Sequence, residues 1–290
     1  MASAMTDQLD PTEAKTAILG TAAKRGAAVA RVGDPDLLGD SPPGRRPADL
    51  LPQVKSMIVL GGAAPRAGEW NSPRSEVMET VGTADRIAGL GTAIARQIEQ
   101  KYGYYALNVP TSTDKGDQPF LDFKAAAVAA GAGSDSLAGP VLDADHGFLY
   151  LAVVLTSLPL EFDGPLAEPA CPAPTCVEMW ESEGTTPCLS VCSIDDGGCL
   201  GGEIEQGVVI GRRYNEARCR DRVYHYWIPG YQAVLENVLN EPDARRRKMM
   251  LYGSYFTKTM WSITYSGVAQ GQCLECMRVC PVGAEKRNLR

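Results

Sequence analysis

The chain has 290 residues, of which 44% are hydrophobic and 22% charged, with a formal net charge of -7 and a pI near 5.0. This composition is typical of a soluble globular protein and excludes a disordered or fibrous chain. The acidic balance argues against DNA as a partner, because phosphate binding requires a clustered positive field.

The first predicted elements are a helix and a strand. The segment 11–33 predicts an opening helix, because Ala14, Ile18 and Ala22 recur at helical spacing and Thr12 is a suitable cap. The sequence KSMIVLGG, which ends at Gly62, predicts a buried strand. Its final glycines would let a ligand approach the backbone closely.

Further helices and strands follow in turn. Thr83 precedes a predicted helix whose apolar stripe is formed by Ile87, Leu90, Ile94 and Ile98. YGYYALNVP predicts a strand, LDFKAAAVAAGAGS a helix of small residues, and the segments 231–240 and 245–261 two more helices. GFLYLAVVLTSLPL is shorter than the roughly 20 residues of a membrane span, and predicts a buried strand.

Cysteine usage divides the chain, since all nine cysteines lie between Cys171 and Cys280. This predicts an α/β body over residues 1–165 and a metal-binding module over residues 166–290. The amino terminus lacks a basic start and an apolar segment, so we expect no export signal and a cytoplasmic protein. The odd cysteine count and this reducing compartment disfavour a disulfide framework.

The most specific motif is GQCLECMRVCPVG, near the end of the chain. Cys273, Cys276 and Cys280 have the spacing of the last three cysteines of a bacterial ferredoxin run, and Pro281 follows as that run requires. Gln270 occupies the place of the first cysteine. Zinc is the main alternative because C-x-x-C also occurs in zinc sites, but the cysteine-proline ending favours iron and sulfide.

In a ferredoxin run the cysteine before proline binds the other cluster, so a second four-iron cluster is predicted. Two such clusters need eight thiolates, which the chain can supply with Cys199 left over. One predicted set is Cys171, Cys176, Cys188 and Cys280; the other is Cys192, Cys219, Cys273 and Cys276. In this arrangement Cys219 or Cys192 supplies the ligand that is missing at Gln270.

This arrangement resembles the epoxyqueuosine reductases and reductive dehalogenases. The similar stretches, in chain order, are LLPQVKSMIVLGG, DFKAAAVAAGAGS, LAVVLTSLPL, NEARC and CLECMRVCP. Where the relatives carry a Trp-x-Gly-Lys-Asn stretch beside the corrin, this chain has SDSLAG from Ser134 to Gly139. The pair Gly131 and Gly133 does not indicate a dinucleotide loop, because Ser136 replaces the third glycine.

The resemblance implies a nitroreductase-like, cobalamin-binding α/β body with a ferredoxin-like module of two 4Fe-4S clusters. It implies an oxidoreductase that cleaves a small organic substrate reductively, by dehalogenation or deoxygenation, with electrons from a ferredoxin or flavodoxin. Candidate proton donors are Tyr104, Tyr105, Asp85 and Glu79. Candidate cobalamin-binding residues are Gly131, Gly133, Ser134 and His146.

Two other functions stay open from the sequence. A non-catalytic electron carrier would hold the same two clusters without cobalamin and would pass electrons to a partner enzyme. A structural zinc protein is the second alternative. The α/β body that precedes the cysteines favours the reductase, because a bare carrier does not need it.

Overall fold

The computed structural model describes residues 10–63, 83–111, 119–192, 198–215, 218, 227–254, 256, 257, 260 and 275–287. Its centre is a five-stranded antiparallel sheet with the order β1-β2-β5-β3, in which β4 pairs with the start of β5. The strands are β1 (Val29–Gly33), β2 (Ser56–Ala63), β3 (Ala106–Asn108), β4 (Leu142–Asp143) and β5 (Gly147–Thr156). A separate hairpin pairs β6 (Leu200–Glu205) with β7 (Val208–Tyr214).

Helices surround the sheet and form the cysteine-bearing region. The described helices are Pro11–Lys24, Pro47–Leu50, Thr83–Gln97, Phe123–Ala129, Pro174–Glu183, Pro187–Cys192, Trp227–Asn240, Ala244–Leu251, Glu275–Arg278 and Ala284–Arg287. A 3-10 turn covers Pro35–Leu38, and a π-helical turn, Ile98–Tyr102, extends the third helix.

Both faces of the sheet are buried. On one face Ile58, Leu60 and Val154 pack against the helices Pro11–Lys24 and Thr83–Gln97. On the other face the alternate residues Met57, Val59 and Leu155 pack against the alanines of Phe123–Ala129. Because β2 and most of β5 are covered on both faces, these strands are apolar runs without polar alternation, and the sequence predicted both as buried strands.

The opening helix is shorter than the sequence predicted. It ends at Lys24, and Val29–Gly33 forms β1 beside β2. Gly26, with φ 97°, terminates it in the left-handed conformation that glycine accommodates best. The cap is Asp10 rather than Thr12, since the Asp10 carboxylate accepts from the backbone N–H groups of Thr12 and Glu13.

The glycines that end β2 do not face a ligand. A Cβ at Gly62 would collide with the Ile87 side chain, and one at Gly61 would lie 2.8 Å from Cδ1 of Leu149. The two positions therefore allow close packing of the Thr83–Gln97 helix and of β5. The four predicted stripe residues of that helix are all buried in this core.

The mixed helix and strand composition confirms the α/β class. The nitroreductase-like description and the boundary near residue 165 stay predictions. No helix among the described residues is long and apolar enough to cross a membrane.

Candidate metal centre and adjoining cleft

Four cysteines from distant parts of the sequence line one apolar cleft. Cys171 lies in a loop, Cys176 at the start of Pro174–Glu183, Cys188 in Pro187–Cys192, and Cys280 just after Glu275–Arg278. The space within the cleft that a water-sized molecule can occupy is small, about 20 Å³. These are the four residues that the sequence assigned to one cluster.

The segment that carries Cys280 is positioned by packing against two other parts of the chain. The helix Glu275–Arg278 packs on Pro187–Cys192. Met277 and Val282 are buried against Leu142 of β4 and Phe148 of β5. The C-terminal cysteine segment is thereby fixed to both the other cysteine segment and the edge of the sheet.

Hydrogen-bonding groups of the protein lie against the sulfurs of Cys171, Cys188 and Cys192. The backbone N–H of Leu137 donates to Sγ of Cys171 at 3.4 Å, and the N–H of Cys199 donates to Sγ of Cys192 at 3.1 Å. The hydroxyl of Thr186 lies 3.3 Å from Sγ of Cys188. Hydrogen bonds to ligating sulfurs are one of the means by which proteins tune iron-sulfur potentials.

The thiols of Cys171, Cys176 and Cys188 are protonated when no metal is present. Burial raises the pKa of Cys171 and Cys188 above the ordinary thiol value, and it raises the pKa of Cys176 to about 11. Metal binding at this cleft must therefore release protons. The seven described cysteines form no disulfide.

The second predicted set is described only in part. Cys192 is buried in its helix, and Cys276 packs in the apolar clusters that contain Cys171 and Cys188. Cys219 and Cys273 lie outside the described residues. Cys199, the residue left over, is buried, and its backbone N–H donates to Sγ of Cys192.

Within the described ranges, no three His, Cys, Asp or Glu side chains are grouped closely enough to hold one metal ion. Cys171, Cys176, Cys188 and Cys280 all contribute to the lining of the cleft. Four thiols are the donor set that a four-iron cluster takes.

A second cleft, with a volume of about 340 Å³, adjoins Cys171. Ser134, Asp135 and Ser136 form one wall, and Val209 and Arg212 of the β6-β7 hairpin contribute to another. The cleft thus places a possible ligand between the body and the cysteine-bearing region.

The predicted cobalamin-binding glycines are packed against protein. Gly131 has φ 67°, and a Cβ there would collide with the carbonyl oxygen of Gly164. A Cβ at Gly133 would lie 2.5 Å from Cγ1 of Val141. Gly133 and Ser134 do line the second cleft, and the Ser134 hydroxyl accepts from the N–H of Ala170.

His146 lies apart from that cleft, in the turn between β4 and β5. Its Nδ1 is 2.6 Å from Oδ1 of Asp143, and the same carboxylate oxygen accepts the backbone N–H of His146. Nε2 is 3.5 Å from Nζ of Lys286. These contacts are those of a satisfied turn histidine.

The candidate proton donors are not brought together. Tyr104 is half-buried against the core, and Tyr105 is 65% exposed. Tyr105 lies beside Thr156 at the end of β5. Phe148, at the start of β5, packs with the cysteine-bearing segment. Eight residues separate Thr156 from Phe148, a distance of about 26 Å along a strand. Asp85 is exposed in the first turn of Thr83–Gln97, and Glu79 lies outside the described residues.

The residues whose groups contact the sulfurs were not among those predicted from the sequence. Leu137 and Thr186 are neighbours of Cys171 and Cys188 in space, and Arg212 reaches Asp135 across 77 residues. The SDSLAG segment, where this chain differs from the relatives, could have indicated them, because it contains both Asp135 and Leu137.

No protein-family model matches the chain, and no curated protein matches it. Among solved structures, it is similar to an epoxyqueuosine reductase crystallised with an epoxyqueuosine-modified tRNA-Tyr stem loop. The TM-score is 0.51 at 16% identity, over 96% of this chain and 67% of the other. The chain has the fold of an epoxyqueuosine reductase.

Two further structures are similar at TM-scores just below 0.5. The epoxyqueuosine reductase of Bacillus subtilis gives 0.48 at 17% identity, over 94% of this chain and 66% of that one. A reductive dehalogenase, whose structure suggests a mechanism for B12-dependent dehalogenation, gives 0.49 at 15% identity, over 96% and 40%. The chain therefore spans about two thirds of the length of the epoxyqueuosine reductases. The resemblance predicted from the sequence is confirmed for the fold.

Proposed function

We propose that this chain is an iron-sulfur oxidoreductase with two four-iron clusters. Cys171, Cys176, Cys188 and Cys280 would hold one cluster, and Cys192, Cys219, Cys273 and Cys276 the other. The observation that carries the proposal is the position of Cys280 at one cleft with the first three cysteines. The ferredoxin spacing requires this exchange of a cysteine between motifs.

The residues around the cleft suit such a cluster. Leu142, Ile204 and Val282 are buried and give it an apolar lining. The N–H of Leu137 and the hydroxyl of Thr186 would stabilise the negative charge on the bound sulfurs. Burial and hydrogen bonds to the sulfurs are among the factors that set the reduction potential of an iron-sulfur cluster.

We further propose that the adjoining cleft binds a corrinoid and that the reaction is a reductive cleavage of a small organic substrate. When bound, the corrinoid would supply a reducible cobalt, and the clusters would deliver single electrons from a ferredoxin or flavodoxin. The chain's contribution is position: Cys171 borders both clefts, so a molecule in the second lies next to the proposed cluster. Neither Tyr104 nor Tyr105 reaches this cleft, and the proton donor is not assigned.

A second candidate function is electron transfer without a corrinoid. It is favoured by Gly131 and Gly133, whose missing side chains make room for Gly164 and Val141 rather than for a ligand. Arg212 and Asp135 on the cleft wall also satisfy each other.

Anaerobic purification with analysis of iron, sulfide, zinc and cobalt separates these functions. Roughly eight irons per chain, and one cobalt after incubation with cobalamin, are expected for the reductase. Roughly eight irons without corrinoid uptake would favour the carrier. Stoichiometric zinc with no iron would overturn both.

A further inference from the structure

A single peptide group connects Arg212 to a cysteine sulfur. Nη1 of Arg212, on β7, donates to the carbonyl oxygen of Ser136 at 3.2 Å. The N–H of the same peptide group belongs to Leu137, and it donates to Sγ of Cys171 at 3.4 Å. Hydrogen bonds in such a chain polarise one another, so the guanidinium strengthens the bond to sulfur.

Asp135 holds the guanidinium in this position. Its two carboxylate oxygens lie 3.0 and 3.1 Å from Nη1 and Nη2 of Arg212, a two-point pairing, and Nζ of Lys124 lies 3.7 Å away. Partial burial raises the pKa of Asp135, but the hydrogen bond and charge of Arg212 outweigh it and hold that pKa below its usual value. Asp135 is therefore ionised at neutral pH and offsets the charge of Arg212.

The charge of Arg212 also lies close to Cys171, because one peptide group joins the guanidinium to Sγ of Cys171. An electron added to a centre bound by Cys171 adds negative charge at the same place. A nearby cation stabilises that added charge, and a nearby anion opposes it.

We propose that Arg212 is a positioning residue that raises the reduction potential of the iron-sulfur centre bound by Cys171, acting through the Ser136-Leu137 peptide, and that Asp135 moderates it. The inference rests on the proposed function, because it requires that centre. The centre gains one electron from an external low-potential reductant, and no bond is broken. Arg212 thereby links the β6-β7 hairpin to the loop that carries the SDSLAG sequence.

The two charged partners predict opposite shifts. Arg212→Gln removes the cation and leaves Asp135, so the midpoint potential should become more negative. Asp135→Asn removes the anion and leaves the guanidinium, so the potential should become more positive. The double variant should lie between the two. A purely structural ion pair predicts no such reversal, because either substitution breaks the same contact.

The experiment is an anaerobic redox titration with dithionite, followed by electron paramagnetic resonance, on full-length protein of measured iron content. Arg213→Gln is the matched control, since neighbouring strand residues point to opposite faces and Arg213 lies against Gly201. Its potential should equal that of the wild type. If Arg212→Gln loses iron, Asp135→Asn, which keeps the bond to Ser136, still tests the sign.

The possible failures are distinguishable. Full iron content with unchanged potentials in Arg212→Gln and Asp135→Asn, or shifts of the same sign in both, would overturn the role of Arg212 alone. Wild-type protein without iron would overturn the proposed function and this inference with it.

Discussion

At the residue scale, the chemistry of the candidate centre depends on what each sulfur contacts. Thr186 is buried, its hydroxyl lies beside Sγ of Cys188, and the N–H of Leu189 donates to that hydroxyl. A thiolate bound to metal carries no proton. The Thr186 hydroxyl must then be the donor to Cys188.

Thr186→Val should therefore lower the midpoint potential of the centre bound by Cys188, because it removes a hydrogen bond to a charged sulfur. It should also cost about 1 kcal/mol of stability, since the hydroxyl accepts an N–H at the start of Pro187–Cys192. Redox titration and urea unfolding measure the two effects. Thr185→Val is the control, because the Thr185 hydroxyl donates to the Thr186 carbonyl at 3.5 Å and not to a cysteine sulfur among the described residues. An unchanged potential in iron-replete Thr186→Val would contradict the assignment.

The cysteines were predictable from the sequence because metal-ligand spacing is local within each motif. Their hydrogen-bond donors were not, because Leu137 and Cys171 are 34 residues apart and meet only after the loop and the cysteine region have folded together. The contacts of Arg212 with Asp135 and Ser136 were not predictable for the same reason.

At the element scale, β1 shows how a local signal was overlooked. The segment from Val29 to Gly33 continues the apolar character of the preceding alanine-rich helix, so apolar spacing alone extended the helix through it. Lys24, Arg25 and Gly26 form a helix-ending pattern, with basic residues in the last turn and glycine just beyond. The buried strands and the Thr83–Gln97 helix were predictable because their apolar patterns are long and uninterrupted.

Two glycines of Thr83–Gln97 provide a test of this packing. Gly89 is exposed with open space around its missing Cβ, so Gly89→Ala should stabilise the protein by about 1 kcal/mol through helix propensity. Gly91→Ala should instead destabilise it by about 1 to 3 kcal/mol, because the new Cβ would collide with Oδ1 of Asn108. Asn108 is held in place by bonds to Ala88 and Thr92.

Urea unfolding compares the two variants directly, since both gain the same intrinsic helix propensity. Equal stabilisation by both substitutions would show that the helix does not approach β3 as closely as the structure has it.

At the scale of the whole molecule, the two cores that cover the sheet contain no cysteine among their described members, whereas the clusters at its edge contain several. The order β1-β2-β5-β3 that creates this edge was not predictable, because it depends on which distant strands pair. The sheet is stabilised by this apolar packing, whereas the cysteine region would be stabilised by the clusters proposed above.

Removal of metal should therefore affect the two parts differently. In hydrogen exchange of the metal-free chain, the amides of β2 and β5 should stay protected, because Ile58, Val153 and their neighbours remain buried. The amides of Pro174–Glu183 and Pro187–Cys192 should lose protection. Equal loss of protection in β5 would contradict this division.

The central claim, that Cys280 completes a centre with Cys171, Cys176 and Cys188, is tested most directly by the iron content of Cys280→Ser. Cys199→Ser is the matched control, because Cys199 belongs to neither proposed ligand set and serine keeps its backbone N–H. Anaerobically purified Cys280→Ser should hold roughly four irons, against roughly eight in the wild type and in Cys199→Ser. A Cys280→Ser protein with undiminished iron would contradict the account.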